Sequence, residues 1–219
     1  MKIFLDTANL NHIKEAASFG ILDGVTTNPT LISAEGRDFE ATVKEICNIV
    51  KGPVSAEVIA TDYNGMIKEA HHLNSIDEHI VVKIPFTANG LKATRQLSSE
   101  NIEVNMTLIF SSTQGLLACK AGAKYVSPFV GRLDDIGQEG MKIAKDCQEI
   151  IFNYNFDTEV IAASIRNTQH IVRAAKIGID IATIPYKILL QMMKHPLTDI
   201  GLKKFLSDWE EFKAKNKDL

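Results

Sequence analysis

Two periodicities alternate along the 219-residue chain. Short runs rich in Val and Ile are apolar on both faces and read as buried strands of a parallel sheet. Between them, apolar residues recur three and four positions apart, as on amphipathic helices. The clearest strand is His79-Ile80-Val81-Val82-Lys83-Ile84-Pro85, where valines and isoleucines surround one lysine and proline stops the run. Further strands are predicted from Lys2 to Leu5, Gly24 to Thr27, Val54 to Ala60, Ile102 to Ile109, Lys124 to Val130, Glu159 to Ser164 and Ile179 to Ile184. Helical spacing runs through Ile13, Ala16 and Phe19, with Asp6 or Asn9 as cap and Gly20 as stop. It recurs over 38–51, 62–76, 88–99 after Thr87, 111–121 behind Ser111 or Ser112, about 138–154, through Ile171 and Ala175, and over 186–194. Asn28-Pro29 reads as a turn, and residues 131–137 as a polar, glycine-bearing loop.

Eight strands, each followed by a helical segment, predict a single (β/α)8 TIM barrel domain over residues 1–219. A separate C-terminal helix from Pro196 to about Lys213 is additional to the eight units. A doubly wound open sheet is the main rival, but no Gly-x-Gly-x-x-Gly turn follows the first strand. The fifth strand alternates, with Val104, Met106 and Leu108 on one side and Glu103, Asn105 and Thr107 on the other. Phe19, Phe39 and Phe152 are expected in the core.

Composition narrows the partners. A formal net charge of −3 leaves no basic stripe for nucleic acid and no polybasic membrane patch. No apolar run approaches membrane-spanning length. Three cysteines without metal spacing, and an N-terminus that enters a strand at once, point to a reducing cytoplasm. The histidines show no metal spacing either; His71 and His72 are adjacent on a helix and face different ways.

In such a barrel, chemistry gathers at the C-terminal ends of the strands. Sorted by strand, those ends carry Asp6, Asn28, Glu57, Lys83, Asn105 with Thr107, Ser127 with Arg132, and Ser164 with Arg166. Singly, each has a plainer reading: a cap for Asp6, a turn former for Asn28, a snorkelling or ion-paired lysine for Lys83. Glu57 sits among Val54, Val58 and Ile59 and needs a partner, and Lys83 on the next strand supplies one. Jointly they compose a site. A lysine amine can attack a ketone and form an iminium that acts as an electron sink for C–C cleavage. Glu57 and Thr107 suit the proton shuttle of dehydration, and Asp6 suits removal of a hydroxyl proton. Arg132 and Arg166, with Ser164, suit a terminal phosphate.

Gly24-Val25-Thr26-Thr27-Asn28-Pro29-Thr30-Leu31 resembles the N-terminal signature of the transaldolase family. Val81-Val82-Lys83-Ile84-Pro85-Phe86-Thr87-Ala88-Asn89-Gly90-Leu91 resembles the segment with that family's Schiff-base lysine. Asn105 to Ser111, Ser127 to Arg132 and Ala163 to Asn167 also resemble family segments, and the likeness spans nearly the whole chain. The length is similar to that of the short subfamily that includes fructose-6-phosphate aldolases. Ile165 departs from it, standing where larger members carry an aromatic residue.

The resemblance implies a transferase that acts on sugar phosphates. Lys83 would form an imine with fructose 6-phosphate or sedoheptulose 7-phosphate, and Asp6 would assist cleavage. Asn28, Asn105 and Ser127 would hold the dihydroxyacetone unit until erythrose 4-phosphate or glyceraldehyde 3-phosphate collects it. No metal or organic cofactor is implied. Aldolase members carry a tyrosine matching Phe129 and a glutamine matching Glu57, so both residues here are of the transferase type. The alternatives are a lyase that releases dihydroxyacetone, and a non-catalytic barrel that binds sugar phosphates. Leu202, Phe205, Leu206, Trp209 and Phe212 form a stripe on the C-terminal helix. Since relatives with a similar tail form rings, a homo-oligomer such as a decamer is expected; a plug for one barrel end, or packing on the outer helices, is the alternative.

Overall fold

The computed structural model describes residues 1–216. The first half contains β1 (Lys2–Asp6), α1 (Leu10–Ser18), β2 (Gly24–Thr26), α2 (Pro29–Glu35), α3 (Phe39–Val50), β3 (Val54–Glu57), α4 (Tyr63–Asn74), β4 (Ile80–Pro85) and α5 (Ala88–Ser99). The second contains β5 (Val104–Ile109), α6 (Ser112–Ala121), β6 (Tyr125–Pro128), α7 (Val130–Asp135), α8 (Gly140–Tyr154), β7 (Glu159–Ala162), α9 (Thr168–Ile177), β8 (Ile181–Ile184), α10 (Tyr186–Met192) and α11 (Pro196–Lys215). The eight strands are parallel and close in sequence order, with β1 bonded to both β2 and β8. This is the expected (β/α)8 barrel with one further C-terminal helix. No helix among the described residues is long and apolar enough to cross a membrane.

The barrel has two separate cores. The larger lies between strands and helices, where the outward-facing Val82 and Ile84 of β4 share a core with buried helix residues such as Met66 of α4 and Leu97 of α5. The smaller fills the barrel's interior with Phe4, Val81, Tyr125, Ile161 and Ile181. Side chains on a strand alternate between faces, so the inward residue two positions later lies one layer higher. Those second residues are Asp6, Lys83, Ser127, Ala163 and Thr183, and all five line one cavity. The apolar floor and the polar site are therefore consecutive layers of the same strands. Each fully buried aliphatic or aromatic floor residue contributes roughly 1.5–3 kcal/mol, which anchors the polar layer above it. Gly24 makes room for this floor: a Cβ there would lie 2.5 Å from Phe4 Cε1.

Several local expectations change. Asn28-Pro29 does not simply turn. Pro29 opens α2, and the Asn28 side chain caps it by accepting from Leu31 N–H at 2.9 Å. Val130, expected to end the sixth strand, and residues 131–135 of the expected loop form α7. Leu108 leaves the outward set: its φ is +57°, the register with β6 shifts between Met106 and Ile109, and its side chain lines the cavity. Asn9, not Asp6, caps α1, accepting from the N–H groups of Asn11 and His12. Ser111 caps α6. Phe39 packs on the core, but Phe19 and Phe152 are exposed, the latter by 84%. Helix α11 buries none of its residues, so it plugs no barrel end.

Candidate active site

All the polar residues nominated at the strand ends line a single cavity of about 440 Å³ at the C-terminal mouth of the barrel. These are Asp6, Asn28, Glu57, Lys83, Asn105, Thr107, Ser127, Arg132, Ser164 and Arg166, joined by Phe129. Their convergence follows from sheet register: Glu57 pairs with Lys83, and Lys83 with Asn105, across β3, β4 and β5.

Lys83 is 6% exposed and has two partners. Its Nζ donates to the Thr27 carbonyl at 2.9 Å and lies 2.9 Å from Glu57 Oε2. A buried charge tolerates such a place only when paired and hydrogen-bonded. Asp6 accepts from Thr26 Oγ1–H at 2.9 Å, and Thr26 is in turn 2.6 Å from Thr183 Oγ1. Burial pushes the Asp6 carboxyl above its ordinary value, against the opposing pull of the Lys83 charge and the Thr26 hydroxyl. A carboxylate raised in this way is a stronger base than a solvated one. Asn105 is fixed on both sides, donating to Ser55 Oγ at 3.0 Å and accepting from Ser127 Oγ–H at 2.7 Å. Thr107 Oγ1 is buried with no partner among the described residues. An orphaned hydroxyl at a cavity wall is a place for a substrate oxygen or a water.

The opposite side of the cavity is cationic. The Arg132 guanidinium stands 4.8 Å above the Phe129 ring, and Phe110 meets that ring edge-on at 5.6 Å. Arg166 pairs with Asp135 at 2.8 Å, which holds the Asp135 carboxyl below its usual range. Ser164, between them in the chain, has a left-handed φ of +60°. Ile165 is buried at 1% and lies outside the cavity lining, so the departure from an aromatic residue concerns packing there.

Thr26, Thr183 and Ser55, which support Asp6 and Asn105, look in the sequence like ordinary strand residues. The period-two step from the floor residue Ile181 identifies Thr183, and pairing with Asp6 identifies Thr26. His71 and His72 bond separately to Glu100 and Glu40 and share no ligand. Among the described residues, no three His, Cys, Asp or Glu side chains converge to hold a metal ion.

With this geometry in hand, comparisons with known proteins agree on the family. The family described as transaldolase/fructose-6-phosphate aldolase matches residues 3–218. A probable transaldolase of Caldicellulosiruptor saccharolyticus is 60% identical over 217 residues, covering 99% of this chain and all of the relative. Probable transaldolases of Thermodesulfovibrio yellowstonii and Kosmotoga olearia are 58% and 56% identical, covering 97% of this chain and 100% and 98% of theirs. A thiamine phosphate pyrophosphorylase of Pyrococcus furiosus matches with a TM-score of 0.56 at 14% identity, over 84% of this chain and 85% of that one. That distant likeness carries the barrel fold alone. Matched from end to end by relatives well over half identical, the chain belongs to the transaldolase/fructose-6-phosphate aldolase family and is an enzyme of the transaldolase/aldolase type.

Proposed function

We propose that the enzyme is a transaldolase that carries a dihydroxyacetone unit as an imine on Lys83. The donor is fructose 6-phosphate or sedoheptulose 7-phosphate, and the acceptor is glyceraldehyde 3-phosphate or erythrose 4-phosphate. The observation that carries this reading is an amine buried in a strand interior, open to a cavity and 2.9 Å from a carboxylate able to take its proton. Glu57 accepts that proton, and the Lys83 amine adds to C2 of the ketose as the carbonyl π pair moves to oxygen. The carbinolamine expels its hydroxyl as water, with Glu57 and Thr107 passing the proton, and the nitrogen lone pair forms the iminium. Asp6 then takes the C4 hydroxyl proton. The C3–C4 bond breaks, its electron pair runs into the iminium to give an enamine, and C4 departs as the aldehyde of an aldose phosphate. The acceptor reverses these steps: the enamine C3 attacks its aldehyde, Asp6 returns a proton to the new alkoxide, and water hydrolyses the iminium. The iminium is itself the electron sink, so the scheme assigns no cofactor.

Asn28, Asn105 and Ser127 hold the three-carbon unit, and Arg132, Ser164 and Arg166 take the phosphate. Phe129 favours transfer over release, because its ring offers no hydroxyl to protonate the enamine or order a water. We take residues 1–219 as one domain working in the cytoplasm. Helix α11 serves as an assembly arm, since Leu197, Ile200, Phe205 and Trp209 are each more than half exposed. The test of mechanism is incubation with fructose 6-phosphate and borohydride. We expect a three-carbon adduct on the peptide containing Lys83, absent in Lys83→Ala, and dihydroxyacetone release far slower than transfer to erythrose 4-phosphate. An adduct on another lysine would overturn the assignment. Equal release without an acceptor would make the enzyme a lyase.

A further inference from the structure

His170 of α9 is the only buried histidine among the described residues, and it does not line the cavity. Its Nε2 lies 2.8 Å from Asp134 Oδ2, and its Nδ1 accepts from the Arg166 backbone N–H at 3.4 Å. Asp134, on α7, uses its other oxygen to accept from Gly140 N–H at the start of α8, at 2.9 Å. One imidazole thus joins the helix that carries Arg132 to the backbone that carries Arg166. A second junction lies at the other end of α7. There Val130 N–H donates to the Ala163 carbonyl at 3.0 Å, and a Cβ on Gly131 would stand only 2.0 Å from the Ser164 carbonyl. Contact at one point leaves a short helix free to swing about it; a second contact fixes its angle. An ion pair with one partner buried and the other one-third exposed contributes little to the fold, so stability alone is a weak reason for one here.

We propose that His170 and Asp134 are positioning residues that set the separation of Arg132 and Arg166, and so the affinity for the substrate's phosphate. This rests on the reading of those two arginines as the phosphate site. The hydrogen-bond chemistry makes the pair hard to replace. The imidazole must accept at Nδ1 and donate at Nε2 at once. Asp134→Asn keeps an acceptor for Gly140 N–H but presents an amide donor to His170. A neutral imidazole then faces two donors with one acceptor.

The test compares His170→Asn, His170→Gln and Asp134→Asn with the parent enzyme. Each is assayed with fructose 6-phosphate, with unphosphorylated fructose as donor, and with inorganic phosphate as a competitive inhibitor. For His170→Asn and Asp134→Asn, KM for fructose 6-phosphate and Ki for phosphate should rise about tenfold, the worth of one charge-assisted hydrogen bond. Their kcat and their activity on fructose should stay within about twofold of the parent. His170→Gln should recover most of the loss, because its amide can still donate to Asp134 and the bond it gives up is the longer one. Unchanged KM and Ki in folded variants would overturn the proposal, and so would a parallel loss on both sugars. If His170→Asn fails to fold, Asp134→Asn decides the question alone, since Asp134 is one-third exposed. A parent enzyme that is indifferent to phosphate, with equal KM for both sugars, would overturn the phosphate-site reading itself. A phosphate-sensitive parent whose variants keep the parent's KM and Ki would overturn only the positioning role of His170 and Asp134.

Discussion

Replacing Gly131 with alanine adds one methyl group to α7, and the structure says where it lands. The new Cβ would lie 2.0 Å from the Ser164 carbonyl oxygen, 2.7 Å from Arg166 Cγ and 3.0 Å from Arg166 Nε. Arg166 is long enough to swing aside, but the Ser164 carbonyl is backbone. Real Cβ contacts essentially never fall below 3.0 Å, so α7 and the 163–166 segment must part by at least 1 Å. Neither side yields readily. Val130 N–H is bonded to the Ala163 carbonyl, and Ser164 is already held at a φ of +60°. Gly131 itself does not have a positive φ, so alanine meets no backbone strain of its own. In a helix it would even be favoured, by roughly 0.5–1 kcal/mol.

Two opposing terms therefore set the outcome. Overpacking costs about 1–3 kcal/mol and outweighs the helix gain, which leaves a net loss of a few degrees in Tm at about 2–4 °C per kcal/mol for a chain of this size. The functional effect should be larger, since a 1 Å misplacement of binding groups costs on the order of 10²-fold in kcat/KM. Steady-state kinetics with fructose 6-phosphate and a thermal melt by circular dichroism measure both. A variant with kcat/KM within twofold of the parent and an equal or higher Tm would show that this close approach does not matter.

Asp6→Asn should abolish transfer yet stabilise the fold at pH 8. Burial raises the Asp6 carboxyl, so the folded state holds that proton more tightly than the unfolded chain, whose value is near 3.8. The proton's stabilising contribution is full below that value and is lost as pH rises through the folded-state pKa. The Tm advantage of Asp6→Asn should therefore grow from pH 4 to pH 8; an advantage independent of pH, or a loss at pH 8, would refute it. For α11, sedimentation of the parent protein should show an oligomer at micromolar concentration. Phe205→Ser with Trp209→Ser should shift it toward smaller species, and a monomeric parent would reject the assembly role.

The strands were legible because a strand covered on both faces can be built only from apolar runs, and few other segments look alike. The site was legible for the complementary reason: Glu57 and Lys83 interrupt such runs, where an unpaired charge could not stay. What stayed hidden depends on tertiary contact. Helices α2 and α7 span seven and six residues, too short for a periodic stripe to declare itself. The positive φ of Leu108 follows from a register shift with β6 that no local pattern encodes. Thr26, Ser55 and Thr183 are good strand formers, so their hydroxyl bonds could be found only by pairing strands. Phe152 lies on a helix with a regular apolar stripe but points away from the buried face, because a single aromatic carries no label for its direction.

Several of the molecule's departures from ordinary packing rules gather at the mouth of the barrel, although two other unpartnered buried polar atoms, Thr94 Oγ1 and Gln148 Oε1, lie on α5 and α8. Among the described residues, five that are not glycine have a positive φ. Lys51 and Asn155 cap helix ends, where that conformation is routine, and Asn101 lies in the turn after α5. The other two, Leu108 and Ser164, terminate no helix, and both line the cavity. The same cavity holds the buried Lys83–Glu57 pair, a carboxyl raised by burial at Asp6 and the orphaned hydroxyl of Thr107. Strained backbone costs about 1–3 kcal/mol per residue, and an unpartnered buried polar group costs a similar amount. A fold selected for stability alone has no reason to concentrate such costs in one layer directly above a well-packed floor. A fold that must bind and act on a substrate there does, because a ligand in the cavity would meet the Lys83–Glu57 pair, Asp6 and the one hydroxyl of the set, Thr107, that has no partner among the described residues. Ligand binding at the mouth should therefore stabilise this enzyme, in part by giving the Thr107 hydroxyl a partner.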